Sequence, residues 1–165
     1  MNQIESAPRV LNDDSLRQQL ALYRAKNKKI VFTNGCFDLL HVGHVSYLEE
    51  AKKLGDILIV GINSDSSVKK LKGPSRPIQN EKDRSAILAA LKSVDHTIIF
   101  NEDTPLQLIE KIEPDVLVKG GDWPIEKIVG SSVVLAKGGQ VRSLSFIEGK
   151  STTALVVKSQ SGSSD

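Results

Sequence analysis

The chain has 165 residues, of which 39% are hydrophobic, 25% charged and 4% aromatic, and it carries a formal net charge of +2. This length suits one compact domain, the small charge does not indicate a general nucleic-acid binder, and no apolar run approaches the roughly 20 residues of a membrane span. The first residues lack the pattern of a secretory signal, and the lone cysteine, Cys36, excludes an intramolecular disulfide, so we expect a cytoplasmic protein.

Short apolar runs alternate with helical patterns along the chain. Residues 1–12 are polar and aperiodic, and we expect a loose arm there. The apolar runs predict five strands, KIVFTNG, DILIVGIN, HTIIF, DVLVKG and QVRSLSF. The predicted helices are DDSLRQQLALYRAKNKK, the segment from Val42 to Leu54, DSSVKKL, a helix capped by Asn80, a helix capped by Thr104 with Pro105 as its first residue, SSVVLAKGG and STTALVVK. The polar residues 159–165 are expected to form a flexible tail.

These elements predict a single α/β domain at residues 13–158. The strands are continuous apolar runs, as expected when both faces of a sheet are covered. We therefore predict a doubly wound, five-stranded parallel sheet with helices on both faces, which is a Rossmann-like fold. In such sheets the ligand lies at the carboxyl ends of the strands. Polar or glycine-containing segments follow each predicted strand, namely NGCFD, NSD, NED, KGGDW and IEGKSTT.

Two of the three histidines follow the first predicted strand in the pattern H-x-G-H. His41 and His44 project from one face of the first turn of a helix, and the free N–H groups of that turn attract anions. The pattern predicts a phosphate site, and the alternative is that both rings only cap or pack. A zinc site would need a third ligand. Because His96 is predicted at the opposite end of the sheet, we expect no histidine-ligated metal.

The segment EGKSTT precedes the last predicted helix. It is not a P-loop, because Leu144 stands where that pattern requires glycine. The hydroxyl groups of Ser151, Thr152 and Thr153 at a helix start nevertheless favour phosphate binding. The alternative is that they only cap the helix.

Two other loops at the predicted site carry candidate ligands. The loop that holds Lys69, Lys70, Lys72 and Arg76 is either a cationic flap over phosphates or an ordinary solvated surface. In KGGDW, the glycines allow a base or ribose to come close. Trp123 could instead fill a surface groove.

Taken together and in this order, GCFDLLHVGH, SRP, LVKGGDW and EGKSTT resemble the H-x-G-H nucleotidyltransferases of the cytidylyltransferase-like superfamily. Within it, TNGCFDLLHVGHVSYLEEAKKLGD, VGINSDSSVKKLKGPSRPI and DTPLQLIEKIEPDVLVKGGD are similar to the D-glycero-β-D-manno-heptose 1-phosphate adenylyltransferases of bacterial lipopolysaccharide core synthesis. The resemblance implies that ATP and heptose 1-phosphate give ADP-heptose and pyrophosphate. It also implies Mg²⁺ on the triphosphate, held mostly by phosphate and water oxygens, with no dedicated metal site in the protein.

The resemblance also implies the roles of individual residues. The catalytic residues are expected to be His41, His44 and Lys72, and the sugar phosphate is expected to contact Asp38, Arg76 and Arg84. The residues expected to bind the nucleotide are Thr33, Asn34, Gly35, Cys36, Phe37, Gly43, Lys119, Gly121, Asp122, Ser151, Thr152 and Thr153. Relatives are commonly dimers, which implies a homodimer.

Two features refine this resemblance. In many bacteria the activity is fused behind a sugar kinase, but fewer than thirty residues precede the first predicted strand here, so we expect the stand-alone form with a separate kinase. The glycerol-3-phosphate cytidylyltransferases carry an arginine three residues before the glycine of R-x-x-G-x-S-T-T, where this chain has Phe146. This difference disfavours a cytidylyltransferase. It also means that another residue must supply the phosphate contact of that arginine, and Arg76 and Lys72 are the candidates.

Three alternatives remain open from the sequence. The first is a cytidylyltransferase acting on a polyol phosphate, which uses the same chemistry with another base and acceptor. The second is a regulatory or scaffold protein that binds a nucleotide without turnover, against which the intact H-x-G-H and S-T-T segments argue. The third is a flavodoxin-like carrier, which is disfavoured because no acidic or aromatic flavin cradle is evident.

Overall fold

The computed structural model describes residues 9–145 and 152–161. Within these residues six strands form, β1 Val10–Leu11, β2 Ile30–Gly35, β3 Ile57–Asn63, β4 His96–Phe100, β5 Val116–Gly120 and β6 Gln140–Leu144. The same two ranges contain seven α-helices, α1 Asp13–Ala25, α2 Val42–Lys52, α3 Asp65–Lys72, α4 Glu81–Ala89, α5 Leu106–Ile112, α6 Ser131–Ala136 and α7 Thr152–Ser161, and a short 3-10 helix at Ile125–Lys127. None of the helices in the described residues is long and apolar enough to span a membrane.

The strands form one parallel sheet in the spatial order β1-β4-β3-β2-β5-β6. The predicted α/β class and parallel sheet are confirmed, but the predicted number of strands is wrong, because the sheet has six. The additional strand lies at the edge, where Val10 pairs with Thr97 and Leu11 with Ile98. Two residues are too few to show a strand period, so the sequence pattern could not reveal this strand.

The ends of the domain also differ from the predicted boundaries. Residues 10 and 11 were expected in a loose arm but form β1, and Asn12 caps α1 through a hydrogen bond from Ser15 N–H at 2.9 Å. At the other end α7 continues to Ser161, so residues 159–161 are helical rather than part of a flexible tail. Residues 1–8 and 162–165 lie outside the described residues.

Helices cover both faces of the sheet. On one face α1, α5 and α6 bury their apolar side chains against Phe32, Ile59 and Leu117. On the other face α2 and α4 pack through Leu48 and Leu88 against the residues that alternate with them along the strands, Val31, Val60 and Val118. The continuous apolar strands of the sequence follow from this double coverage, because neither side of the central strands faces water.

The order of the strands reverses between β2 and β5. The chain runs outward from β2 through β3 to β4, then crosses to β5 and β6 on the other side of β2. The helices that follow β2 and β5 therefore leave the sheet in different directions, and a crevice opens at the carboxyl ends of these two strands. Val31 pairs with Val116 and Phe32 with Leu117, which brings the two strand ends side by side.

Candidate functional site

A cleft of about 320 Å³ lies at the carboxyl ends of β2 and β5, where the fold predicts a ligand. It brings together the loop after β2, the first two turns of α2, the end of α3, the loop after β5 and the start of α7. The residues that line it are Asn34, Gly35, Cys36, Phe37, Asp38, His44, Tyr47, Lys72, Lys119, Gly120, Trp123 and Thr152.

The two histidines lie at the N-terminus of α2. His41 is the residue before the first helical residue, and its carbonyl accepts a hydrogen bond from His44 N–H at 2.9 Å. The two rings stack with their centroids 3.9 Å apart, and the ring of Phe37 meets His44 edge-on at 5.3 Å. Phe37 has a φ of +46°, in the left-handed region that non-glycine residues rarely adopt. Strained backbone of this kind clusters at functional sites, because the surrounding structure must hold it in place.

Burial keeps His44 neutral near pH 7. The pKa of His44 is lowered to about 4, chiefly by burial and in addition by the positive charges of His41 and Lys72. Its Nδ1 atom is buried and has no hydrogen-bond partner among the described residues. Buried polar atoms without partners are uncommon in proteins, and this one adjoins a cleft, so it is available to a ligand.

Asp38 holds the segment 76–79 against the loop after β2. Its side chain is only 1% exposed and accepts hydrogen bonds from Arg76 Nε at 2.6 Å and from the N–H groups of Ile78 and Gln79 at 2.9 Å. Burial alone would raise the pKa of Asp38, but these two N–H groups and the charge of Arg76 outweigh it and lower the pKa below its ordinary value. Arg76 Nη2 is buried and has no acceptor among the described residues.

Arg84 lies beneath the cleft rather than in it. Its side chain is 0% exposed and is not among the lining residues. The guanidinium donates hydrogen bonds to the carbonyl groups of Cys36, Asn63 and Gln79 and to the carboxylate of Asp65. A direct contact between Arg84 and a sugar phosphate is therefore not available in this conformation.

Thr33 is also buried below the cleft. Its side chain is 0% exposed, and its hydroxyl shares a 2.6 Å hydrogen bond with the hydroxyl of Tyr47. Burial raises the pKa of Tyr47 to about 12, although the bond to Thr33 acts in the opposite direction. Tyr47 was not among the predicted site residues, although it lies three residues after His44 on the same side of α2.

Lys119 and Thr152 complete the cleft from the side of β5 and α7. Burial lowers the pKa of Lys119, and the neighbouring Cys36 opposes this change. Thr152 Oγ1 donates a hydrogen bond to the carbonyl of Leu39 at 3.1 Å, which joins α7 to the loop before α2. Lys72 ends α3 and is exposed at the rim of the cleft.

The remaining predicted nucleotide-binding residues lie near the cleft but do not line it. Gly43 is buried in the first turn of α2, and Gly121 follows β5 with a φ of +96°. Asp122 is exposed and accepts a 3.5 Å hydrogen bond from Ser145, and Thr153 is exposed on α7. Ser151 lies outside the described residues. The roles given to individual side chains therefore remain predictions, although nine of the eighteen predicted residues line the cleft.

A smaller apolar pocket of about 180 Å³ adjoins the cleft. The two share Asn34, Lys119 and Trp123, and the side chain of Trp123 is half exposed. The other residues of this pocket were not predicted, and they come from β5, the start of α5 and the segment around the 3-10 helix: Pro105, Leu117, Val118, Lys127, Ile128 and Val129. Only the tertiary fold brings them together.

Comparison with known proteins places this site in a family. Residues 32–153, which include all residues of the cleft, match the model of the cytidylyltransferase-like family. The chain is 52% identical over 154 residues to the bifunctional protein HldE of Citrifermentans bemidjiense and 52% identical over 159 residues to that of Geotalea uraniireducens. These alignments cover 93% and 96% of this chain but 32% of each relative, so the chain spans about a third of their length.

A solved structure shows the same fold. The crystal structure of the lipopolysaccharide core biosynthesis protein from Thermoplasma volcanium superimposes with a TM-score of 0.59 at 32% sequence identity. The match covers 74% of this chain and 99% of that protein. The family model matches about three quarters of the chain, and the chain therefore belongs to the cytidylyltransferase-like family.

Proposed function

We propose that this chain is a nucleotidyltransferase that joins ATP and D-glycero-β-D-manno-heptose 1-phosphate to give ADP-heptose and pyrophosphate. The observation that carries the proposal is the cleft in which His44, Lys72 and Lys119 converge at the N-terminus of α2. A neutral imidazole, two lysines and free helix amides form a site for a polyphosphate.

Unpartnered polar atoms at the site support an anionic ligand. Arg76 Nη2 and His44 Nδ1 are both buried without a partner among the described residues. A phosphate oxygen would accept a charge-assisted hydrogen bond from Arg76 Nη2, and one from His44 in the tautomer that carries its proton on Nδ1. The adjoining apolar pocket, with Trp123 at its rim, supports a base next to the phosphates.

The proposed chemistry needs positioning more than proton transfer. An oxygen of the sugar phosphate, already ionised at neutral pH, attacks the α-phosphorus of ATP, and the bond from the α-phosphorus to the bridging oxygen breaks as pyrophosphate leaves. His41 and His44 would hydrogen-bond the α-phosphate as its charge rises, and Lys72 would neutralise the leaving group. Lys119 would meet the nucleotide from the β5 side, and Arg76 the sugar phosphate.

Mg²⁺ fits this proposal as a partner of the triphosphate. Among residues 9–145 and 152–161, no group of three or more His, Cys, Asp or Glu side chains is placed to hold a metal ion. The carboxylate of Asp38, the acidic group in the cleft, is already bonded to Arg76 and two backbone amides. The ion would therefore be held mostly by phosphate and water oxygens and would reduce repulsion between the phosphates.

The choice of ATP and heptose rests on the sequence resemblance. The relative with a solved structure is described as a lipopolysaccharide core biosynthesis protein, which supports the same area of metabolism. The family description, cytidylyltransferase-like, makes CTP with a polyol phosphate the second candidate. A reaction that consumes ATP and a sugar phosphate would take place in the cytoplasm.

Pyrophosphate release tests the proposal directly. The purified protein is incubated with Mg²⁺, with either ATP or CTP, and with a panel of sugar 1-phosphates and polyol phosphates. We expect release with ATP and heptose 1-phosphate. Release with CTP alone would retain the mechanism and replace the substrate, and the absence of release from a folded protein across the panel would reject the proposal.

A matched pair of α2 variants separates chemistry from folding. His44→Ala removes a donor from the cleft and should lower kcat by about 100-fold or more, corresponding to roughly 3 kcal/mol of barrier. Glu49→Ala changes an exposed residue of the same helix and should leave kcat unchanged. Both variants should show the helical circular dichroism of the parent chain.

We also propose that the protein is a homodimer, as the resemblance implies. Leu155 and Val157 of α7 are large apolar side chains that remain exposed in the isolated chain, which supports a partner surface there. Light scattering coupled to size-exclusion chromatography tests this directly. A mass of one chain, about 18.0 kDa, would reject the dimer.

A further inference from the structure

We propose that Arg84 is a positioning residue, which holds the loop after β2 and the segment 76–79 in register for catalysis without touching a substrate. This inference rests on the proposed function for its kinetic consequences. Its structural consequence can be measured without any substrate.

One guanidinium group joins three segments that form the cleft. Arg84 Nη1 donates to the carbonyl of Cys36 at 2.6 Å, at the start of the loop that leads to His41 and His44. Nη2 donates to the carbonyl of Asn63 at 2.9 Å, at the end of β3, and to Asp65 Oδ1 at 2.8 Å, at the start of α3. Nε donates to the carbonyl of Gln79 at 3.0 Å.

Arg84 offers no surface to a ligand. Its side chain is 0% exposed, and Asp65 is the acidic side chain that pairs with it. An arginine with this burial is unusual and is stable only when its charge is compensated by close acceptors. The geometry of the planar guanidinium suits this task, since it presents donors in several fixed directions at once.

The bonds of Arg84 continue into the cleft through Gln79. The Gln79 carbonyl accepts from Arg84, and its N–H donates to Asp38 Oδ1 at 2.9 Å. Asp38 in turn accepts a hydrogen bond from Arg76 Nε at 2.6 Å. The Nη2 atom of the same guanidinium is buried and has no partner among the described residues. Arg84 therefore determines where Arg76 lies, although the two side chains share no hydrogen bond in the described structure.

Lysine cannot reproduce this arrangement. An ammonium group keeps the charge but replaces the rigid planar fork with one point of donation. Arg84→Lys should therefore bond some of the four acceptors, whereas Arg84→Met should bond none and leave the carbonyl groups of Cys36, Asn63 and Gln79 without this donor. Lys82→Met, an exposed residue on the same helix, is the matched control for loss of a positive charge.

Cys36 provides a readout that does not depend on the reaction. It is the only cysteine, it is free and partly exposed, it is one of the residues that line the cleft, and its carbonyl accepts a hydrogen bond from Arg84. We measure the rate at which 5,5′-dithiobis(2-nitrobenzoic acid) modifies this thiol, far below the melting temperature of each variant. Loss of these hydrogen bonds should raise the rate about tenfold in Arg84→Met and less in Arg84→Lys, with no change in Lys82→Met.

Kinetics then test whether Arg84 acts through Arg76. With ATP and heptose 1-phosphate, Arg84→Met should lower kcat at least tenfold, with partial recovery in Arg84→Lys. In the background of Arg76→Ala the effect of Arg84→Met should be much smaller, because the two changes disrupt the same contacts. Additive effects would indicate an independent role and overturn the inference.

The outcomes separate this inference from the proposed function. Unchanged thiol rates in both Arg84 variants would overturn the inference even if the enzyme is active. An inactive parent chain would reject the proposed function, while faster thiol modification would still support the positioning role. If Arg84→Met does not fold, the comparison of Arg84→Lys with Lys82→Met decides the same question.

Discussion

At the scale of single residues, the lowered pKa of His44 leads to a prediction about nucleotide binding. His44 is neutral in the free protein because burial and its cationic neighbours oppose protonation. A polyphosphate beside the ring would favour the protonated form. Nucleotide binding should therefore raise the pKa of His44, which NMR titration of its ring protons with and without pyrophosphate would detect.

The same depressed pKa makes the stability of the fold depend on pH. The unfolded chain takes up a proton on His44 near pH 6.5, whereas the folded chain takes it up only near pH 4. The contribution of His44 to the free energy of unfolding is therefore highest above about pH 6.5, where His44 is neutral in both states. It decreases as the pH falls towards 4, because only the unfolded chain binds the proton in that range. Urea unfolding should show that the parent chain loses more stability over this range than His44→Asn. Equal losses would contradict the prediction.

The sequence predicted the position of the cleft better than the contacts of its residues. H-x-G-H after a glycine turn was enough to predict a phosphate site, because strand ends and helix starts coincide there. Arg84 was expected to contact the sugar phosphate because the family resemblance implies that role, whereas its side chain is buried. Its burial depends on carbonyl groups from three distant segments, which no local pattern encodes.

At the scale of secondary-structure elements, two glycines flank α6 in left-handed conformations. Gly130 precedes the helix with a φ of +84°, and a Cβ atom there would lie 2.6 Å from Cδ1 of Ile109. Gly138 follows the helix with a φ of +80°, and a Cβ atom there would have no described atom within 4 Å apart from those of Gly138 and its two chain neighbours. Substitution of Gly138 would therefore cause backbone strain alone, whereas substitution of Gly130 would cause the same strain together with a steric overlap.

This pair gives a prediction about the α6 region. Gly138→Ala should lower the free energy of unfolding by about 1 kcal/mol, because only the left-handed backbone is penalised. Gly130→Ala should lower it by about 2–4 kcal/mol, because the overlap with Ile109 is added to the same strain. Urea unfolding of both variants measures the difference. Equal losses would show that the core around Ile109 adapts without cost.

Most of the elements were predictable because their signals are local. Asn80 was predicted to cap α4, and its side chain accepts from Asp83 N–H at 2.9 Å. The observed start of α5 lies one residue later than predicted, because Pro105 is the N-cap and not the first helical residue. β1 was missed because its two residues are held by pairing with β4, which is a tertiary contact.

At the scale of the whole molecule, the edge strand β1 lies far from the cleft at β2 and β5, so the two can be altered independently. β1 lies at one edge, three strands away from β2 and the crevice. Leu11 is 5% exposed and belongs to the apolar cluster beneath α1, whereas Val10 is 47% exposed. Changes in the side chain of Leu11 should therefore affect folding and leave the cleft intact.

We expect Leu11→Ala to lower the free energy of unfolding by about 2–4 kcal/mol, since it removes a buried side chain. Val10→Ala should change it by less than about 0.5 kcal/mol, because that side chain is largely in solvent. Denaturation curves measure both effects. The kcat of both variants at a temperature where they are folded should equal that of the parent chain. A reduced kcat in folded Leu11→Ala would show that the edge strand is coupled to the site.

The order of the strands could not be derived from the sequence, but it was not needed to predict where the site lies. Parallel strands place all their carboxyl ends on one side of a sheet, so five loops could be assigned to a common end in advance. Which two strands form the crevice depends on how the crossovers pack, and only the structure shows β2 beside β5.

Trp123 is the only tryptophan in the chain, and it lies between the cleft and the apolar pocket with half of its surface in water. Its indole fluorescence is consequently an intrinsic optical probe of this junction. A purine entering the pocket should stack on or shield the ring, which shifts its emission to shorter wavelengths or quenches it. Titrations with ATP and with CTP would then rank the two nucleotides by affinity in an unlabelled protein, before any acceptor sugar is chosen.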